Sequence, residues 1–221
     1  MAKQKILHCR KIKKTPILVG GTGLYFKALT EGLVNIPKIP INFRNNVRNL
    51  HKRIGQKKFF QKLLQIDPMI KDQINSLDVQ RSLRAYEIKS FTKKSMISWF
   101  KNTKSDYDHN DFLKICIDFP RKDLIERINK RSENMIKLGA ILEVKKFIKL
   151  RVPKNKSLSK AIGISEIKQY LQKKIQTEQL IEKISIKTRQ YAKRQSTWAR
   201  GHMKDWNKVN PTGLEKLLKK I

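Results

Sequence analysis

The sequence predicts a mostly helical α/β protein in which a helical insertion interrupts a core built from two separated stretches of chain. Three observations lead there. Residues 16–29, PILVGGTGLYFKAL, have a strand-turn-helix pattern; a Lys-rich helical tract runs from about Phe43 to Phe100; and a second strand-like run, Phe112 to Phe119 (FLKICIDF), leads back into helices. The core is therefore placed at 1–37 and 111–221, and the insertion at 38–110.

Residues 3–14 are basic with Ile6, Leu7 and Ile12 interspersed, and read as a helix end leading into the next element. Pro16 to Val19 suit a buried strand. Gly20-Gly21-Thr22-Gly23 then makes a tight turn that opens into an apolar helical segment. Glycines at such a turn let backbone approach a ligand, and the free N–H groups of a helix start attract anions; an ordinary tight turn fits the local pattern equally well. The loop lacks the Lys-Ser/Thr ending of GxxxxGK[ST], so it is not itself a nucleotide-binding loop. Only fifteen residues precede Pro16, where an α/β domain with a phosphate site is expected to place an earlier strand and loop. The two prolines of Asn35 to Pro40 mark a crossover linker. Asp67-Pro68 is expected to start a helix and Asp78 to cap the next. Residues 101–111 read as turns, and Pro120 ends the Phe112–Phe119 strand. Helix returns from Asp123, with a break at Gly139 before Ala140 to Leu150. A basic loop at 151–160, helices at about 164–173 and 177–200, a weak strand-like patch and a short amphipathic tail complete the chain.

The 221 residues are enough to bury a real core, and their net charge of +33 favours a polyanionic partner, nucleic acid above all. AT-rich coding offers a competing origin for that charge, since thirteen of the 51 basic residues are arginine and Ile and Asn are abundant. No run approaches the ~18 apolar residues of a membrane span and no signal-peptide core opens the chain, so a cytoplasmic protein that avoids membranes is expected. Cys9 and Cys116 lack CxxC spacing, which fits a reducing compartment. The scattered His8, His51, His109 and His202 form no HExxH pattern, and no protein-ligated catalytic metal is expected.

Three helices are candidates for chemistry. At about 100° per residue, Arg189, Lys193, Ser196 and Arg200 fall in one arc and Ile184, Tyr191 and Trp198 lie opposite, so one face packs while the other meets phosphates or solvent. Arg194 projects near the apolar side and needs a partner or an anionic ligand if buried. In Gln80-Arg81-Ser82-Leu83-Arg84, two guanidinium groups at i and i+3 share neighbouring surface, suited to base edges or phosphates; an Arg84–Glu87 ion pair is the structural alternative. After Asp123, Leu124, Ile128 and Met135 form an apolar arc that Arg131 invades and Arg127 borders, a pattern suited to a phosphate clamp. Gly163, within Lys160 to Ser165 (KAIGIS), marks a turn that approaches a ligand or simply ends a loop.

Five ordered segments, PILVGGTGLYFKAL, QRSLR with Ala85-Tyr86-Glu87, IERINKRSENM, AIGISE and TRQYAKRQSTWAR, resemble the tRNA dimethylallyltransferases, and the likeness covers nearly the whole chain. The resemblance implies a P-loop NTPase-like parallel-sheet core, incomplete here, with a helical insertion that contacts tRNA. It implies transfer of a dimethylallyl group from dimethylallyl diphosphate to N6 of the adenosine just 3′ of the anticodon (position 37), with Mg²⁺ whose ligands are not identifiable in this sequence. It places Thr22, Arg44, Gln80, Arg81, Ser82, Leu83, Arg84, Lys160, Gly163, Lys193, Arg194, Gln195, Trp198 and Arg200 against tRNA, and Arg127 or Arg131 on the diphosphate.

Two features depart from the family. Its GY[KR] step appears as Gly163-Ile164-Ser165, and its opening P-loop and general-base Asp are absent, since no GxxxxGK[ST] occurs in the sequence. Leaving-group charge in this chemistry needs loop N–H donors and cations, so the chain is expected to be N-terminally truncated and inactive alone. Dimethylallyl diphosphate becomes a partner only if a P-loop segment is supplied, the chain then acting as a monomer or paired with a separate N-terminal chain. The alternative is a non-catalytic tRNA-binding remnant or a split-gene fragment.

Overall fold

The computed structural model describes residues 1–153 and 156–219. They form two compact units, one of Met1–Gly23 with Leu113–Ile221 and one of Leu24–Phe112. The second unit takes in residues 24–37 along with the stretch read as the insertion.

In the first unit, α1 (Ala2–Lys11) buries Ile6 and leaves its basic residues outside. The buried strand expected at Pro16 to Val19 does not form. Ile17 and Val19 are 76% and 89% exposed, and this backbone belongs to no ladder among the described residues. β-branched side chains favour extended backbone, but a strand exists only where a neighbour takes up its N–H and C=O groups. Sheet structure lies instead in two parallel strands, β1 (Ile115–Ile117) and β2 (Asn207–Val209), with Ile115 opposite Asn207 and Ile117 opposite Val209. The expected eight-residue strand shrinks to three because β2 is three residues long between two helices. At its foot Lys114 Nζ meets Asp205 Oδ2 at 3.1 Å.

Pro120 starts α6 (Arg121–Lys137), and Gly139, at φ +100°, separates it from α7 (Ala140–Lys149). After the basic loop, of which Lys154 and Asn155 lie outside the described residues, come α8 (Ile164–Leu171) and α9 (Thr177–His202). The short α10 (Pro211–Leu218) follows β2. Val144, Ile164, Ile167, Leu180 and Ile184 form the buried core among α7, α8 and α9. Each such side chain contributes about 1.5–3 kcal/mol relative to exposure.

Glu166 is buried at the start of α8, where its Oε2 accepts the Gly163 N–H at 2.9 Å and its Oε1 accepts from Lys187 Nζ on α9. Burial pushes this carboxyl up. Hydrogen bonds from Lys187, from its own backbone N–H and from that of Gly163, together with the Lys187 charge, outweigh burial and hold it below the usual 4.5. A carboxyl lowered by folding stabilises the fold above its unfolded value, and that contribution is lost as pH falls through the folded value. The melting temperature is therefore expected to fall more steeply for wild type than for Glu166→Gln as pH drops below about 4.5. Equal slopes in paired thermal melts contradict this account.

The second unit contains α2 (Gly23–Thr30) from its second residue on, with α3 (Ile41–Ile66), α4 (Val79–Thr92) and α5 (Met96–Lys101). Gly55, at φ 74° and ψ 166°, kinks α3 and resets its apolar stripe, Val47 being buried before the kink and Phe59 and Leu63 after it. Asp67-Pro68 opens only a single 3₁₀ turn, Pro68–Ile70, because Lys71 turns extended and Asp72 enters the left-handed region at φ 63°. Asp78 caps α4 as expected, its Oδ1 accepting the Arg81 N–H at 3.0 Å. Ile39, Leu63, Ile70, Ile74, Ala85, Ile88 and Met96 form this unit's core.

Candidate nucleic-acid interface

The glycine turn of the first unit rests directly on α9. A Cβ built on Gly21 falls 2.1 Å from the Gln195 amide nitrogen, and one built on Gly23 falls 2.0 Å from Cε3 and Cζ3 of the Trp198 ring, closer than real Cβ atoms come to a neighbour. Neither glycine has positive φ, so close approach is what these positions require. The backbone thus comes close to side chains of α9, and Thr22, exposed between the two glycines, is carried beside Gln195 and Trp198. Trp198 in turn stacks on His202, with ring centroids 4.4 Å apart and planes 5° from parallel. Sequence reasoning did not anticipate this seating; its only signal was glycine at i and i+2 beside a tryptophan-bearing helix.

Along α9, Lys193, Ser196 and Arg200 are exposed and Arg189 is half-buried, as the helical wheel implies. Arg194 is exposed, with its guanidinium 5.6 Å over the Tyr191 ring, so it is no buried charge. Only Leu180, Ile184 and Ser185 of α9 are buried, all in the first half, and the apolar side near Arg194 has no core above it. On α6, Arg127 and Arg131 are both exposed, one helical turn apart. Arg131 therefore does not enter a buried arc, since only Ile128 and Ser132 of α6 are buried. The Arg127 guanidinium lies 4.8 Å over the Phe119 ring, which fixes its plane and leaves its N–H edge available. Lys160 is exposed, whereas Gly163 is buried with its N–H committed to Glu166 and its φ at +102°, so it serves the start of α8.

In the second unit, Gln80 and Arg81 face solvent at the first turn of α4, with Arg81 3.4 Å from Asp78. Ser82 is buried. Its hydroxyl donates to the Asp78 carbonyl at 2.7 Å and accepts from Gln56 Nε2 at 3.1 Å, which ties α4 to the α3 kink. Leu83 is half-buried. Glu87, 2% exposed, receives both Arg44 from α3 and Arg84 from α4. The Arg84–Glu87 pair was legible from i, i+3 spacing, whereas Arg44 and Gln56 reach α4 from distant sequence with no local signal.

Among the described residues no group of three or more His, Cys, Asp or Glu side chains converges to hold a metal, and the buried Glu87 and Glu166 are both engaged by cations. No described helix is long and apolar enough to cross a membrane.

The IPP transferase family model matches residues 1–202. The chain belongs to the IPP transferase family. It is 55% identical, over 218 residues, to a tRNA dimethylallyltransferase of Pelagibacter ubique (strain HTCC1062), covering 99% of this chain and 70% of that one. Against a tRNA dimethylallyltransferase of Rickettsia massiliae (strain Mtu5) identity is 39%, covering 93% of this chain and 57% of the relative, so the chain spans little more than half of that protein's length. The crystal structure of a tRNA isopentenylpyrophosphate transferase from Staphylococcus epidermidis superposes with a TM-score of 0.56 at 29% identity, over 95% of this chain and 67% of that one. A eukaryotic dimethylallyltransferase acting on tRNA superposes with a TM-score of 0.75 at 24% identity, over 95% of this chain and 54% of that one, a likeness of fold. The fold shared by this family member and its neighbours is of P-loop-like type, mostly helical with a small parallel sheet.

Proposed function

We propose that this chain carries the tRNA-facing surface of a cytoplasmic dimethylallyltransferase that modifies N6 of the adenosine 3′ of the anticodon. The seating of Gly21 and Gly23 on Gln195 and Trp198 supports this most directly, because it presents Thr22 beside a helix whose outer face carries Lys193, Arg194 and Arg200. In the same reading Arg44, Gln80, Arg81 and Arg84 meet RNA from the other unit. The adenine N6 attacks the allylic carbon as its bond to the diphosphate oxygen breaks; the electron pair leaves with diphosphate and the N6 proton passes to a base. Arg127, pre-set by Phe119, and Arg131 are the cations of these residues proposed to meet the departing charge.

The 221 residues contain no GxxxxGK[ST], and none of their carboxylates is assigned as the base. Losing one preorganised donor costs roughly 10²–10³ in rate, so in this proposal the residues do not turn over by themselves and a P-loop-bearing segment completes the site. The test is transfer of labelled dimethylallyl to tRNA by the chain alone and with a family P-loop segment added, alongside tRNA binding across a salt series. Expected are no transfer alone, transfer on complementation, and affinity that falls about 10³-fold or more between ~50 and ~200 mM salt if six or more phosphates are engaged. Salt-sensitive binding with no transfer in either arm marks a non-catalytic tRNA binder, and absence of binding overturns the reading.

A further inference from the structure

Glu87 is a buried carboxylate with two arginines on one oxygen. Arg44 Nε lies 3.2 Å and Arg84 Nη1 3.4 Å from its Oε2, and the arginine side chains remain 37% and 41% exposed while Glu87 is 2% exposed. Arg44 comes from the first turn of α3 and Arg84 from the second turn of α4, so the carboxylate gathers guanidinium groups from two helices. One carboxylate neutralises one of them. The pair keeps a net positive charge, and each planar fork has used one N–H edge inward, leaving further N–H donors for an anion at the surface. Burying a carboxylate between cations is weak support for stability, since desolvation offsets most of the attraction; what it does supply is fixed geometry.

We propose that Glu87 is a positioning residue that holds Arg44 and Arg84 as one two-guanidinium clamp for a single phosphodiester of the bound RNA. The inference rests on the tRNA reading above. A phosphodiester matches because its two free oxygens accept forked N–H pairs, and because both side chains are restrained before the ligand arrives, little rotamer freedom is lost on binding.

The sign of one substitution separates positioning from simple charge. Glu87→Gln makes the protein more positive by one, so a non-specific electrostatic surface must bind tRNA more tightly or equally. A clamp held by the carboxylate instead loses affinity, by about tenfold, with the salt slope shallower by about one phosphate. In the Glu87→Gln background, Arg84→Ala should then cost little more, because the two changes remove one feature. Affinity is read by fluorescence anisotropy with labelled tRNA, below the melting transition of each variant. Equal or tighter binding by a cooperatively folded Glu87→Gln protein overturns the proposal while leaving the tRNA reading intact. Should Glu87→Gln not fold, Arg44→Lys and Arg84→Lys keep the charge and lose the fork, and unchanged affinity in both overturns it equally. No tRNA binding by wild type overturns the reading and the clamp together.

Discussion

Gly23→Ala is expected to lower the stability of the first unit by about 1–3 kcal/mol and to weaken RNA binding at the same time. The new methyl group has nowhere to go. It meets Cε3 and Cζ3 of Trp198, a rigid ring that is also stacked on His202, so either the turn lifts off α9 or the tryptophan abandons its stack. Thr22 moves with the turn. Gly21→Ala is the internal control, because its methyl group meets the end of the Gln195 side chain, which can swing aside. Thermal melts and tRNA anisotropy on both variants should show a large joint loss for Gly23→Ala and a small one for Gly21→Ala. Equal effects at the two sites contradict the picture of a loop seated on the Trp198 ring.

Phe59→Ala is expected to cost about 3–5 kcal/mol, a large share of the stability of a unit this size. Phe59 is fully buried, with its ring 5.1 Å from His51 edge-on and 5.0 Å from Tyr86, so it joins the two halves of the kinked α3 to α4. The same joint carries Gln56 to Ser82 and fixes the start of the helix that presents Arg81 and Arg84. Denaturant titration of Phe59→Ala should show loss of one cooperative transition, with Phe59→Leu retaining most of it. A loss below about 1 kcal/mol contradicts the role of Phe59 as the centre of that packing.

Much of the helical layout was legible in the sequence because it depends on local signals. Asp78 caps α4, Gly139 divides α6 from α7, and α8 and α9 fall close to where periodicity places them. What misled was whatever needs a partner from elsewhere. Pro16 to Val19 has strand composition but no neighbouring strand among the described residues, and Phe112 to Phe119 pairs only as far as β2 extends. Within the site the same division holds. The exposed arc of Lys193, Ser196 and Arg200 follows from helix geometry, whereas the burial of Ser82 follows from Gln56, twenty-six residues away. Arg194 illustrates the limit of a helical wheel, which identifies an apolar side without revealing that the core ends before reaching it.

The first unit is discontinuous, assembled from Met1–Gly23 and a stretch that begins at Leu113, while the second is a single run of chain. On the ribosome this sets an order of events. Leu24–Phe112 has all its own core residues as soon as Phe112 emerges, but the glycine turn must wait for Gln195 and Trp198, and β1 for its partner strand. About a hundred residues of further synthesis separate the two moments, on the order of 5–20 s. Through that interval the GGTG segment and the bare Ile17-Leu18-Val19 run remain without the helix that seats the turn, so the vulnerable period of this protein's biogenesis falls on residues made long before their partners.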